Sequence, residues 1–211
     1  MAAVSDYEFT NQWFDLNRRA WDDLITRLSP SKILEIGAFE GRCTCYLINQ
    51  LAREEALSLH CIETWQGGIE HQSGGQAESD MNAVEIRFRK NTEFAISLAA
   101  QPVNLVIDKA KSSDALSRLI ANGESSFDFI YIDGSHQAPD VLTDAIMSFQ
   151  LLKVGGVMVF DDYIWDEGLP GGIDTLRCPK VAIDAFTTIF ARKVRIIPAI
   201  NYQVYLEKIS C

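Results

Sequence analysis

Basic charge is scarce in this sequence. Its 211 residues hold 19 Lys and Arg against 29 Asp and Glu, a formal net charge of −10 at pH 7. Binding duplex DNA or RNA by phosphate neutralisation calls for the opposite balance, so nucleic acid and anionic membranes are poor partners. Long apolar runs are also missing: no stretch approaches the ~18–20 residues that span a bilayer. Met1 to Thr10 is polar and acidic, without the charged-then-apolar pattern of an export signal. A cytoplasmic protein is the expectation. Cysteine is sparse and odd in number, five in all, with no Cys-x-x-Cys. That excludes a zinc ribbon or a disulfide framework and leaves buried free thiols. Neither Gly-x-Gly-x-x-Gly nor a Gly-Lys-Ser/Thr phosphate loop occurs, which disfavours pyrophosphate cofactors. The chain has no linker, internal repeat or low-complexity tract.

What is present is the material of a globular domain. Hydrophobic residues make up 47% and charged residues 23%, enough to bury a core. Phe9, Trp13, Leu16, Ala20, Leu24 and Leu28 recur at helical spacing and predict a first helix from about Ser5 to Leu28, stopped at Ser29-Pro30. Apolar runs and helical patterns then alternate. Strands are expected over Lys32 to Ile36, Leu59 to Glu63, Val103 to Ile107, Phe127 to Ile132 and Val157 to Phe160, with Gly155-Gly156 turning the chain into the last. Helices are expected over about Arg42 to Ala52, Ser79 to Ala99, Ser112 to Asn122, from Pro139 onward, and over Pro179 to Ala191. Val194 to Pro198 and Gln203 to Glu207 read as a hairpin. Strands that are continuous apolar runs belong to a parallel sheet covered on both faces. The predicted fold is α/β, Rossmann-like and doubly wound, with a mostly parallel seven-stranded sheet and a C-terminal antiparallel hairpin. Residues 1–30 form an N-terminal helical cap and residues 31–211 the main domain. Gln66 to Ser79, with Gly67, Gly68, Gly74 and Gly75, reads as a mobile loop.

In such sheets ligands bind at the carboxyl ends of the strands. The polar residues placed there are Gly37 to Gly41, Glu63, Asp108, Asp133 to His136 and Asp161-Asp162. Gly37 and Gly41 permit a tight turn against which a ligand can sit. Glu63, ending the second strand, can accept both hydroxyls of a ribose. Singly, these also read as a strand–helix turn and a surface acid; together they point to adenosine. The string Leu34-Glu35-Ile36-Gly37-x-x-x-Gly41, followed by an acid after strand two, resembles the class I S-adenosylmethionine-dependent methyltransferases. The resemblance runs from about Ser31 to the C-terminus and implies S-adenosylmethionine as cofactor. It implies that Glu35, Gly37, Ala38 and Gly41 line the cofactor and that Glu63 binds its ribose. It also implies that Asp108-Lys109-Ala110-Lys111-Ser112 is the adenine-side loop, with Ala110, Lys111 and Ser112 at the ring and Ala110 standing where Gly is common. Trp65 packs on the adenine or the substrate, or else in the core.

Tyr131-Ile132-Asp133-Gly134-Ser135-His136 and Val159-Phe160-Asp161-Asp162-Tyr163 end neighbouring strands, so three carboxylates converge at one edge. Unpaired carboxylates repel, and a hard cation such as Mg²⁺, which prefers oxygen ligands, removes that cost. His136, with an ordinary pKa near ~6.5, can take a proton near neutral pH. Taken singly, Asp133 reads as a helix cap, Asp161-Asp162 as a solvated pair and His136 as a polar helix start. Together they resemble the metal-dependent O-methyltransferases of the catechol type and of the sugar and macrolide type. The resemblance implies Asp133, Asp161 and Asp162 as ligands of Mg²⁺ or another divalent cation, with Asp133 also beside the cofactor. His136 is then the catalytic base. Asp162 stands where the catechol type has Asn, and His136 where it has Lys; Asp-x-x-His matches the sugar and macrolide type. The implied reaction is O-methylation of a small-molecule hydroxyl on a sugar, a macrolide or polyketide, or a phenol. A metal-independent N- or C-methyltransferase and a non-catalytic S-adenosylmethionine-binding subunit are the alternatives. His60 reads as structural, and His71 as a solvated loop residue or a lid contact. Asp166, Glu167 and Asp174 border the substrate. The first helix, with Trp13 and Trp21, covers the cofactor or forms a homodimer face.

Overall fold

The computed structural model describes residues 6–199 and 202–211. Its helices are α1 (Arg18–Leu28), α2 (Arg42–Leu51), α3 (Met81–Leu98), α4 (Ser112–Ala121), α5 (Ala138–Leu151) and α6 (Pro179–Ile189). Its strands are β1 (Lys32–Ile36), β2 (Leu57–Ile62), β3 (Val103–Asp108), β4 (Phe127–Ile132), β5 (Leu152–Phe160), β6 (Val194–Ile197) and β7 (Val204–Lys208). The sheet order is β3-β2-β1-β4-β5-β7-β6. Pairings from β3 to β5 are parallel, and β7 is antiparallel to both β5 and β6. The chain winds outward from β1 to β3, then returns to place β4 on the other side of β1. That reversal opens a crevice at the carboxyl ends of β1 and β4.

Burial follows the sequence pattern. The central strands β1 and β4 are mostly apolar and buried nearly end to end, whereas the edge strand β3 alternates and stays half-exposed. One apolar layer joins α1, α2 and α3 to the sheet, and a second joins α4, α5 and α6 to the opposite face. Trp21, Leu24 and Ile25 of α1 belong to the first layer, with Trp21 against Phe129 and Tyr131. Among the described residues no helix is long and apolar enough to cross a membrane. Cys43, Cys45, Cys61 and Cys178 are buried free thiols as expected, whereas Cys211, near the chain end, is exposed.

Two expectations need correction. The first helix is shorter than its apolar period suggested. Its expected start, Ser5, lies outside the described residues. Residues 7–12 are not helical, a short 3₁₀ turn spans Trp13–Leu16, and α1 begins only at Arg18. Tertiary partners take the backbone donors: Glu8 N donates to Asn91 Oδ1 at 2.7 Å and Thr10 N to Glu40 Oε2 at 2.7 Å. The segment is therefore a strap laid over the loop that follows β1, and Leu16, assigned to the apolar stripe, is 83% exposed. Gly155 and Gly156 do not turn the chain into a strand; they lie inside β5, where the register with β4 shifts between Phe127 and Phe129.

Candidate active site

The loop after β1 is built around Gly37. Its φ is +84°, and a Cβ there would fall inside the carbonyl of Asp133. Gly41, φ +78°, caps α2, and a Cβ there would lie 2.9 Å from the Phe88 ring. Glu63, just past β2, closes this loop: its Oε2 accepts from Ala38 N at 3.0 Å and Phe39 N at 3.1 Å, and its Oε1 from Trp65 N at 2.9 Å. Phe39, Trp65 and Asp162 all adopt positive φ although none is glycine, and all three follow strand carboxyl ends. Such conformations cost roughly 1–3 kcal/mol each and cluster at functional sites.

The remaining residues assigned to the cofactor separate into two groups. Ala38 is buried beside Glu63, and Ala110, Lys111 and Ser112 follow β3, with Lys111 exposed. Asp108, which opens that loop, receives Arg118 Nη2 at 2.8 and 2.9 Å. Glu35 and Trp65, by contrast, point into the protein. The Glu35 carboxyl accepts from Thr44 Oγ1 at 2.6 Å and Cys61 Sγ at 3.3 Å, and burial pushes its pKa up to about 7. Trp65 packs in the core against Phe88, and its Nε1 donates to Phe39 O at 3.0 Å.

At the other end of the crevice, ligand atoms of Asp133, His136 and Asp162 lie within 4.8 Å of one another. Asp161, the third acid expected there, is held apart. Its Oδ2 accepts from Gln203 Nε2 at 2.9 Å and from the Tyr131 hydroxyl, and its Oδ1 from Asp162 N at 2.8 Å. The same Tyr131 hydroxyl lies 3.0 Å from Asp133 Oδ2. One phenol proton cannot serve two carboxylates fully, so a further proton or a cation is needed here. Burial, then repulsion from Asp161 and Asp162, pushes the Asp133 pKa far up. Burial and Asp162 push Asp161 up to about 6. Two oxygen donors and one imidazole in so small a space suit a divalent cation.

His136 is clamped. Its Nε2 lies 2.8 Å from Asp162 Oδ2, its Nδ1 3.4 Å from Glu70 Oε1, and its ring stacks on Trp165 at 4.0 Å. Burial alone would lower its pKa, but the contacts with Asp162 and Glu70 push it up to about 10. Glu70 comes from the Gly-rich stretch 66–79, where Ala77 N donates to Glu70 O at 2.9 Å, Ser79 N to His71 O at 3.2 Å, and Gln76 pairs with the Glu167 carbonyl. His71 is not solvated: it stacks on Phe39 at 5.0 Å and lies 3.5 Å from Glu70. His60 lies on β2, 3.9 Å from Asp108. Asp166, Glu167 and Asp174 are spent on their own loop, receiving Gly168 N, Arg177 and Leu176 N. Sequence reasoning passed over Glu70, Tyr131, Trp165 and Gln203 as site residues. Only the Tyr131-x-Asp133 alternation along β4 carried a signal for any of them.

The sequence matches a family model described as "Methyltransferase domain" over residues 34–163. No curated protein matches it. Among solved structures, the calicheamicin methyltransferase CalS11 aligns with a TM-score of 0.64 at 15% identity, over 94% of this chain and 80% of that one. TomG of Streptomyces achromogenes, an O-methyltransferase of tomaymycin synthesis solved with S-adenosylmethionine, aligns with a TM-score of 0.61 at 17% identity, over 98% and 93%. An O-methyltransferase of Bacillus cereus, solved with S-adenosylhomocysteine, aligns with a TM-score of 0.60 at 20% identity, over 90% and 80%. At these identities the likeness is one of fold, and the family match spans more than half of the sequence. The chain therefore belongs to the methyltransferase-domain family and is a class I, S-adenosylmethionine-dependent methyltransferase.

Proposed function

We propose that this enzyme methylates a hydroxyl of a small molecule, a sugar or another natural product, with the help of a divalent cation. The observation that carries the reading is the grouping of Asp133, His136 and Asp162 within 4.8 Å, directly behind the Gly37 loop. Two fold neighbours, a TDP-rhamnose 3′-O-methyltransferase and an O-methyltransferase of tomaymycin synthesis, carry out reactions of this class.

S-adenosylmethionine, when bound, supplies an electrophilic methyl group. Gly37, Ala38 and Gly41 would border its methionine portion, Glu63 its ribose, and Ala110, Lys111 and Ser112 its adenine. A divalent cation, when bound, supplies a Lewis acid that lowers the pKa of a coordinating hydroxyl. Asp133 and Asp162 would hold it, with Asp161 behind them through Tyr131. His136 Nε2 faces the same space, beside Asp162, and in its deprotonated form would accept the substrate hydroxyl proton. Trp165 and the strap over the Gly37 loop keep water out and hold the reacting groups in place.

A thermal-shift series tests this. S-adenosylhomocysteine at ~100 times its Kd should stabilise the protein by roughly 2.7 kcal/mol. Mg²⁺ should add a further shift that EDTA reverses. A nucleoside shift indifferent to metal would move the reading to metal-free N- or C-methylation or to a binding-only subunit. No nucleoside shift would overturn it at the cofactor.

A further inference from the structure

We propose that Gln203 is a positioning residue for the acid pair that ends β5: it anchors Asp161, whose carboxylate fixes the Asp162 backbone, and so aims the Asp162 side chain into the site. What Asp162 binds there rests on the proposed function; the positioning itself does not.

The register brings the two residues together. β7 runs antiparallel to β5 with Val204 opposite Phe160, so one step further Gln203 faces Asp161, with both side chains on one side of the pair. Gln203 is buried, and its amide has one orientation. The Trp21 indole is a donor only. Its Nε1 lies 2.8 Å from Gln203 Oε1, and the buried Tyr205 hydroxyl donates to the same oxygen. The oxygen end of the amide is therefore taken, and Nε2 is the end that donates to Asp161 Oδ2, at 2.9 Å. Lys and Arg offer donors only, and Glu acceptors only. A side chain that answers an indole N–H at one atom and a carboxylate at the next needs both, which is what glutamine brings.

The anchored carboxylate acts on its neighbour. Asp161 Oδ1 accepts the Asp162 N–H at 2.8 Å, while Oδ2 is held by Gln203 and the Tyr131 hydroxyl. Asp162 has φ +56°, a left-handed backbone that a residue with a Cβ keeps only where its surroundings over-determine it. On the other side of the turn, Trp165 N donates to the Asp162 carbonyl at 3.0 Å. The amide and the carbonyl of Asp162 are thus both pinned, and the turn delivers Asp162 Oδ2 to 2.8 Å from His136 Nε2. Trp21, Gln203, Asp161 and Asp162 form one chain of hydrogen bonds from α1, past the start of β7, to the site. Hydrogen bonds made from behind the carboxylates of a site orient them, and their loss is felt in what the site binds.

Gln203→Met tests this, because it keeps the length of the side chain and removes its polar end. Amide hydrogen exchange, followed by NMR without added ligands, reads the positioning. The Asp162 amide should exchange about tenfold faster than in the wild type, the order of one lost hydrogen bond, while Met158 and Val159 within β5 keep their protection. Mn²⁺ affinity, read by EPR of the free ion, should fall about tenfold or more, and S-adenosylhomocysteine affinity, read by calorimetry, should not change. A Gln203 that only supports the fold would quicken the Asp162, Met158 and Val159 amides alike, or none of them, and either result overturns the proposal. So does a faster Asp162 amide with unchanged affinity in a protein that binds Mn²⁺. If Gln203→Met does not fold, Gln203→Glu, which still accepts from Trp21 but brings no amide donor to Asp161, is read by exchange in the same way. In the wild type itself the Asp162 amide and the Gln203 side-chain amide should both exchange slowly, and free exchange of either overturns the proposal without any variant. Failure of the proposed function reads out elsewhere, as a wild type that binds no Mn²⁺, and exchange then decides the positioning alone.

Discussion

Gly37 and Asp133 stand back to back where the first and fourth strands end. The Asp133 carbonyl fills the space a side chain on Gly37 would need, and the Asp133 amide donates to the carbonyl of Ile36 at 2.8 Å. The loop assigned to the cofactor and the acid assigned to the cation are therefore one rigid unit. Their spacing is set by backbone contacts rather than by flexible side chains, which is what transfer between two bound groups requires.

Gly37→Ala should damage both halves of the site together. The left-handed backbone costs an alanine about 1–2 kcal/mol, and the clash forces a shift costing about 1–3 kcal/mol more. Denaturant unfolding should show a loss of about 2–5 kcal/mol. The surviving folded protein should respond weakly to both S-adenosylhomocysteine and Mg²⁺. Loss of the first response alone would mean that the two loops are independent.

Tyr131→Phe should sensitise the protein to cations. Its hydroxyl is shared between Asp133 and Asp161, and without it the two acids face each other with one donor fewer. Leaving buried acceptors unsatisfied costs about 1–3 kcal/mol. Mg²⁺ should recover much of that loss, so the Mg²⁺-induced rise in Tm should exceed that of the wild type. An equal rise would show that the tyrosine plays no part in balancing the acids.

The sheet was legible because its central strands are mostly apolar runs, bounded by Gly37, Glu63, Asp133 and Asp161. Those residues had to fall at the carboxyl edge once the winding was known. The strap was not legible, since Phe9, Trp13 and Leu16 keep a helical period. What breaks that helix is the grip of Asn91 and Glu40, distant in sequence. Gly155-Gly156 misled for a similar reason: a glycine pair marks a bulge as readily as a turn. Within the site, Asp133, His136 and Asp162 were readable from strand ends. The tie between Asp161 and Gln203 was not, because it depends on how β7 lies beside β5. Nor was Glu70, whose place depends on the path of its loop.

Glu35 predicts a pH dependence of stability. Its pKa rises from 4.5 to about 7 in the folded protein because it is buried. Between those values the folded state holds more protons than the unfolded chain, so stability falls as pH rises through this window and levels off above about 7. The loss is at most roughly 3 kcal/mol. Glu35→Gln should flatten the wild-type decline between pH 5 and pH 8, measured by urea midpoints. An unchanged slope would reassign the effect to other buried acids.

Thr10→Val should loosen the strap without unfolding the domain. Thr10 Oγ1 donates to Glu40 Oε1 at 2.7 Å, and Arg87 Nε holds the same oxygen at 2.6 Å. Removing the hydroxyl should cost about 0.5–1.5 kcal/mol, paid locally. Hydrogen exchange at the Thr10 amide should quicken while core amides of β1 and β4 stay protected. Uniform acceleration would instead place the strap within the global unfolding unit.

Asp133→Asn should stabilise the protein while disabling it. Burial and the neighbouring Asp161 and Asp162 push the Asp133 carboxyl far above its usual range, so its charge opposes folding at neutral pH. A neutral amide of the same shape relieves that repulsion. In the absence of added metal, Tm at pH 7–8 should rise, by about 2–4 °C for each kcal/mol relieved. S-adenosylhomocysteine should still bind, since Gly37 meets only the backbone of Asp133. The Mg²⁺ shift should vanish, because one oxygen donor is gone. A functional acid held against the stability of its own fold is the expected signature of a site kept for chemistry. A variant less stable than the wild type without metal would show that Asp133 is there to support the fold.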